Sequence, residues 1–283
     1  MRVLALDTAT SACSVALLDG ARLIGRHEEV SKSHAQRILS MIDSVLAEAA
    51  MPLSLLDGIA ASVGPGSFTG VRISVAVAQG LAFGAGLRVV PVTTLEALAF
   101  AAVRGGARQV LVCLDARMGE VYWGCFRADA DRGVIAIGPA RVGPPGTVAL
   151  PAAEGLGPIE GLGPIERPGA AERPGAAEGP GVAEGPGVAE GLQAVARPPT
   201  LVRPAGEYHG IGRGFTAYPV LGALPGLELD PKDALALPDA REFAALGALR
   251  LELGEGIDAA ELCPLYVRDK VALTEAERGR PQA

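Results

Sequence analysis

The stretch VGPGSFTGVR, residues 63 to 72, holds the densest set of groups able to do chemistry. Gly64, Gly66 and Gly70 are set among Pro65, Ser67, Thr69 and Arg72, between an apolar run at 59–63 and a longer one at 71–83. A strand feeding a glycine-rich turn and then a helix can cradle phosphate, because glycine admits close backbone approach and a helix start carries partial positive charge. This stretch lacks the lysine of a P-loop, and its Gly64-x-Gly66-x-x-x-Gly70 spacing misses the dinucleotide fingerprint by one residue. The spacing instead predicts a corner. Gly64 and Gly66 permit unusual backbone angles, Pro65 stiffens the turn, and Ser67 or Thr69 caps the helix. Contact with a nucleotide through Gly64, Gly66, Ser67, Thr69, Gly70 and Arg72 is the lesser alternative.

Asp7 and Asp115 each end an apolar run and precede a short polar turn. A carboxylate there can face a metal–phosphate group, but aspartate is also the ordinary residue of turns and caps, and that reading is preferred for both. His34, with Arg37 one turn along, has no paired Cys, Ser or carboxylate and reads as a cap or interface residue rather than a proton donor. Arg117 and Glu120 are expected to pair across the DARMGE turn. Cys13, Cys113, Cys125 and Cys263 show no CxxC spacing and the chain has three histidines, which argues against zinc and for free thiols in a reducing cytosol. No catalytic constellation emerges.

These groups need elements to position them. The chain has 283 residues, 49% hydrophobic, enough for one large domain or two moderate ones. Aromatics are few, so the core is expected to be Val, Leu, Ile and Ala. A formal charge of −7 disfavours a general electrostatic grip on nucleic acid. Asp7 interrupts any signal-peptide core, and Gln79 and Glu96 break the apolar runs short of a membrane span, so a soluble, cytoplasmic protein is expected.

Strand patterns at RVLALDTA, ACSVALLDG and ARLIGRHEEV predict a sheet opening with a hairpin closed at Asp19-Gly20. A helix is expected from Ser33 to Ala50, a strand at LDGIAASVG, a helix after the glycine loop, then a strand and helix over LRVVPVTTLEALAFAAV. Near residue 109 the pattern restarts. With Asp115 set against Asp7, LVCLDARMGEVYWGCF repeats the strand–Asp–turn–strand layout of VLALDTATSACSVALL. From Glu154 the sequence advances in six-residue, Gly- and Pro-rich steps, read as a disordered or loosely extended insertion over about 151–198. Beyond it, a helix is expected at DAREFAALGALRLELG, and a final strand and exposed tail at ELCPLYVRDKVAL.

The helix VRISVAVAQGLAFG is apolar around most of its circumference and calls for cover on two sides: its own sheet and another subunit. Together with the helix of 33–50 it is read as a docking surface formed by His34, Arg37, Ile38, Met41, Val71, Ser74, Val75, Ala78 and Leu81. Replacing Val75 or Val77 by Asp is expected to abolish pairing and leave the fold intact.

In order along the chain, LALDTATSACSVALLDG, SHAQRILSMIDSVLAEA, GPGSFTGVRISVAVAQGLAFG, PVTTLEALA, LDARMGEVYWGCF and PLYVRDKVA resemble the TsaB family of bacterial proteins needed to make threonylcarbamoyladenosine in tRNA. The resemblance implies an α/β protein of two actin-like, ribonuclease-H-like subdomains with mixed sheets, at 1–105 and 106–283, interrupted by the low-complexity insertion. It implies kinship with TsaD, which transfers threonylcarbamoyl to adenosine beside the anticodon and holds its metal with two histidines. Thr94 and Leu98 occupy those two positions here and supply no imidazole. The resemblance therefore implies a non-catalytic scaffold that binds no cofactor of its own, pairs with a TsaD-type subunit and a TsaE-type ATPase, and meets tRNA, ATP and the TsaD-bound metal only through the complex. It also implies a homodimer when the partner is absent. The rival readings are an actin-like kinase or peptidase and a free-standing homodimeric binding module.

Overall fold

A computed structural model describes residues 1–30, 33–151 and 208–268. The hexapeptide segment and most of the tail lie outside the described residues.

The first strand shows how the architecture is encoded. In β1 (Arg2–Asp7), Val3 and Ala5 face one core and Leu4 and Leu6 face another, all fully buried. A strand covered on both faces reads as an unbroken apolar run rather than an alternating one. Around it run β2 (Ala12–Asp19) and β3 (Arg22–Glu29), both antiparallel, and β4 (Gly58–Ser62) and β5 (Val89–Val92), both parallel. The sheet order is β3-β2-β1-β4-β5. On its outer face lie α1 (His34–Glu48), through Ile38, Met41, Ile42 and Val45, and α2 (Phe68–Ala85), through Val75, Ala78 and Ala82.

The second sheet repeats that wiring. β6 (Gln109–Arg117) pairs antiparallel with β7 (Glu120–Asp129), which pairs antiparallel with β8 (Gly133–Ala136) and β9 (Arg141–Gly143). On its other side β6 pairs parallel with β10 (Tyr208–Ile211), which pairs parallel with β11 (Leu227–Leu229). The order β8-β7-β6-β10-β11 matches the first sheet strand for strand. A short α4 (Gly214–Ala217) follows β10, and Phe215 and Leu221 help cover the outer face with Trp123 and Cys125.

Between the sheets lie α3 (Thr94–Arg104) and α5 (Ala240–Glu252). Each ends one set of strands and covers the other: α3 packs on β6, β7 and β8, and α5 on β1, β2, β4 and β5. Gly247 lets α5 come close, since a Cβ there would stand 2.5 Å from that of Ala60. Two ion pairs pin the helices together, Arg104 to Glu242 at 3.1 Å and Arg250 to Glu96 at 2.5 Å. Thr93 and Glu96 form the capping box that starts α3.

Two expectations are corrected. Residues 264–268 form no strand; the segment crosses the molecule irregularly, held by Leu265 N–H to the Val63 carbonyl at 2.8 Å. The 18-residue α2, with mean hydropathy 1.3, does reach the length and apolarity of a membrane-crossing helix, because Arg72 and Gln79 together lower the average too little. In this fold one face of α2 is buried against the first sheet and Gln79 donates to the Leu262 carbonyl at 2.9 Å.

Candidate functional site

The glycine loop is a corner built against the β1–β2 turn. Ser67 N–H donates to the Ala9 carbonyl at 2.7 Å, Thr8 Oγ1 donates to the Gly70 carbonyl at 2.7 Å, and Ser67 Oγ caps α2 by accepting from Gly70 N–H at 3.1 Å. A Cβ on Gly66 would stand 2.2 Å from the Ala9 oxygen and one on Gly70 2.0 Å from the Thr8 oxygen. Gly64 has φ +96. Contact with the protein's own backbone thus explains Gly66 and Gly70, and the left-handed φ explains Gly64. Gly64 and Gly70 are buried, which corrects the nucleotide-contact reading for them. Thr69 and Arg72 are exposed; Arg72 lies 3.6 Å over the Phe68 ring and donates from Nε to Tyr266 Oη at 2.9 Å.

Asp7 and Asp115 make the same turn. Asp7 Oδ1 accepts from Ala9 N–H at 3.0 Å and Asp115 Oδ1 from Arg117 N–H at 2.8 Å. Asp7 is fully buried, its Oδ2 has no hydrogen-bond partner, and burial pushes its carboxyl up to about 6. Asp115 is reached by solvent and pairs with the Arg117 guanidinium at 3.0 Å. Arg117 and Glu120 are partners in the backbone register across the turn, but their side chains do not pair: Glu120 pairs with Arg268, 148 residues away, which also donates to the Ala116 carbonyl at 3.1 Å. His34 Nε2 lies 3.0 Å from the Thr10 carbonyl, tying α1 to the first turn, and Arg37 pairs with Glu28.

These pieces border one cleft of about 820 Å³. Its walls are the two Asp turns, the start of α2, the turn after β10 and residues 265–268. Arg213 crosses from that turn to Glu29, with Ser11 Oγ 3.4 Å away. The sequence pattern missed the cleft's Tyr266, Arg213 and Arg268; each lies far along the chain from its partners, so no local spacing marks it.

Thr94 and Leu98 are both buried. Thr94 Oγ1 lies 3.3 Å from Ser62 Oγ, and Leu98 packs between the sheets. Neither presents a metal ligand, and among the described residues no cluster of three or more His, Cys, Asp or Glu is placed to hold an ion. Cys13 and Cys125 are buried thiols pushed up by burial to about 11 and about 12; Cys113, also buried, is pushed up in the same direction, and Cys263 is exposed.

The expected docking residues need the largest correction. Ile38, Met41, Val71, Ser74, Val75 and Ala78 face this chain's own core, and Leu81 is half-buried at its edge. The i, i+3, i+4 stripe read as surplus apolar surface is the face that α2 lays on its sheet. The outward face carries Arg72, Ala76, Gly80, Phe83 and Gly84, with Phe83 85% exposed and Leu39 of α1 51% exposed. Small residues four apart were the available signal for that face. Val75→Asp would therefore break the fold rather than spare it.

The strand order and the cleft define the class: an α/β protein with two mixed sheets of matching wiring. Comparison with known proteins narrows it. Residues 27–166, just under half the chain, match the family model of TsaD, tRNA N6-adenosine threonylcarbamoyltransferase. The chain is 33% identical over 277 residues to the tRNA threonylcarbamoyladenosine biosynthesis protein TsaB of Escherichia coli, covering 96% of each. It is 48% identical over 124 residues to TsaB of Haemophilus influenzae, covering 44% of this chain and 52% of that one. Among solved structures, YeaZ from Pseudomonas aeruginosa superposes with a TM-score of 0.69 at 33% identity, over 94% of this chain and 99% of that one. A second Pseudomonas aeruginosa structure, described as similar to peptidase YeaZ, gives 0.70 at 34% identity over the same shares. The chain belongs to the TsaB family.

Proposed function

We propose that this chain is the non-catalytic subunit of a bacterial tRNA threonylcarbamoyladenosine synthase, pairing with a TsaD-type subunit that transfers threonylcarbamoyl to adenosine beside the anticodon in tRNAs reading ANN codons. One observation carries the reading: near-complete alignment with a TsaB protein, in a chain whose Thr94 and Leu98 are buried and offer no metal ligand. ATP and the metal belong to the complex. A TsaE-type ATPase and tRNA join it there, in the cytoplasm, and the chain pairs with itself when TsaD is absent.

The proposed organisation is two actin-like subdomains, 1–105 and 106–283, with the low-complexity insertion at about 151–198 in the second. The proposed docking surface is the outward face of α2 with the adjoining part of α1: Arg72, Ala76, Gly80, Phe83 and Leu39, with His34, Arg37 and Leu81 at its margins. Ala76, Gly80 and Gly84 let a partner backbone approach closely, and a Cβ added at Gly80 or Gly84 meets no atom of this chain within 4 Å.

Reconstitution of tRNA modification from purified parts tests the assignment. Product forms only when this chain and the TsaD-type subunit are together; product or ATP turnover from this chain alone would overturn it.

A further inference from the structure

The cleft between the two Asp turns has the size of a small-molecule site and lies between two sheets, where such sites concentrate. Five of its backbone donors are already used. Ala9 and Arg117 N–H groups go to Asp7 and Asp115, Ala12 N–H goes to Thr10 Oγ1 at 3.1 Å, and Ser67 and Gly70 N–H groups are engaged in the corner. The Asp115 carboxylate also stands in the wall. A polyphosphate is held by free turn amides and helix-start amides, and these five are not free.

What the cleft offers instead is an aromatic wall and, among the described residues that line it, one solvent-exposed arginine. Phe68 and Tyr266 line it 6.2 Å apart, and Arg72 fixes the pair by stacking on Phe68 and bonding Tyr266. Arg213 and Arg268 are each anchored by a carboxylate and a backbone carbonyl. Arg117 differs: it is 86% exposed and, among the described residues, tethered only to Asp115, a surface pair that a competing carboxylate can displace. Arg117 and Met118 hold the left-handed φ values 61 and 57, a strained conformation for residues with side chains, at the mouth of the cleft.

We propose that this cleft binds a planar aromatic monoacid, its ring stacked on Phe68 and Tyr266 and its carboxylate held by the planar fork of Arg117, and that it rejects nucleoside polyphosphates. This goes beyond the role in tRNA modification and does not depend on it.

Isothermal titration of the full chain with 2-naphthoate tests the proposal. Saturable one-to-one binding is expected, weakened roughly five- to tenfold by Phe68→Ala and by Arg117→Gln. The uncharged 2-naphthol should bind the wild-type chain about as weakly as 2-naphthoate binds the Arg117→Gln variant. Millimolar ADP should not displace 2-naphthoate. Both substituted side chains are well exposed, and unchanged thermal unfolding of the variants verifies that they fold. Absence of saturable binding, displacement by ADP, or wild-type affinity in both variants would overturn the proposal.

Discussion

The β1–β2 and β6–β7 turns use the same aspartate hydrogen bond and meet opposite fates. The first is sealed beneath the glycine corner, so Asp7 is fully buried with its carboxyl raised to about 6. The second has no such cover, and Asp115 faces the cleft beside an exposed arginine. Local sequence sets the hydrogen bond in both turns. What the rest of the chain lays over each decides whether the carboxylate is a stressed core group or part of an open wall.

Glycine-to-alanine changes at the two turns should break the comparison most sharply. Gly70→Ala drives a Cβ into the Thr8 carbonyl and should cost about 3–4 kcal/mol in urea unfolding. Gly119→Ala, at φ +78 with open space around the added carbon, should cost only ~1 kcal/mol. Equal losses would mean that the corner does not seal the first turn.

The pH dependence comes next. The folded-state pKa of Asp7 is raised from 3.8 to about 6, so the fold favours the protonated acid. The stability from that preference is fully present below pH 3.8 and is lost as pH rises through 6, a change of about 3 kcal/mol by linkage. Asp7→Asn keeps the acceptor for Ala9 N–H and removes the charge, so it should stabilise the protein at pH 7 by about 2–3 kcal/mol and flatten this part of the profile. Denaturant midpoints from pH 4 to 8 give the answer; a destabilised Asp7→Asn protein at pH 7 would show that the buried charge is compensated.

The two faces of α2 extend the comparison to binding. Gly80→Arg, on the outward face, should abolish pairing with the TsaD-type subunit in size-exclusion chromatography while changing stability by less than about 0.5 kcal/mol. Val75→Asp should be recovered unfolded. Pairing that survives Gly80→Arg moves the docking surface elsewhere.

Much of the fold was legible because its signals are local. RVLALD announces a strand buried on both faces, the change to helical spacing announces α1, and Asp7 and Asp115 mark turns they do form. The family resemblance, carried by six motifs in order, agreed with near-complete alignment to TsaB. The site was legible only in part. A helix apolar on nearly all sides has no strong direction, so its sequence does not tell the inward stripe of α2 from the outward one. The partner of Glu120 lies 148 residues away, and proximity along the chain suggested Arg117 instead. The glycines of 64–70 announced close approach without saying to what; at Gly66 and Gly70 it is to the carbonyls of Ala9 and Thr8.

The exchange of α3 and α5 has a consequence for how the protein is made. The first sheet is complete in sequence at Val92, yet the helix covering its inner face begins at Ala240. At ribosomal speeds of roughly 5–20 residues per second, the nascent first half waits about 7–30 s with an apolar sheet face uncovered. During that interval the uncovered face is the part of the nascent chain most exposed to non-native apolar contacts.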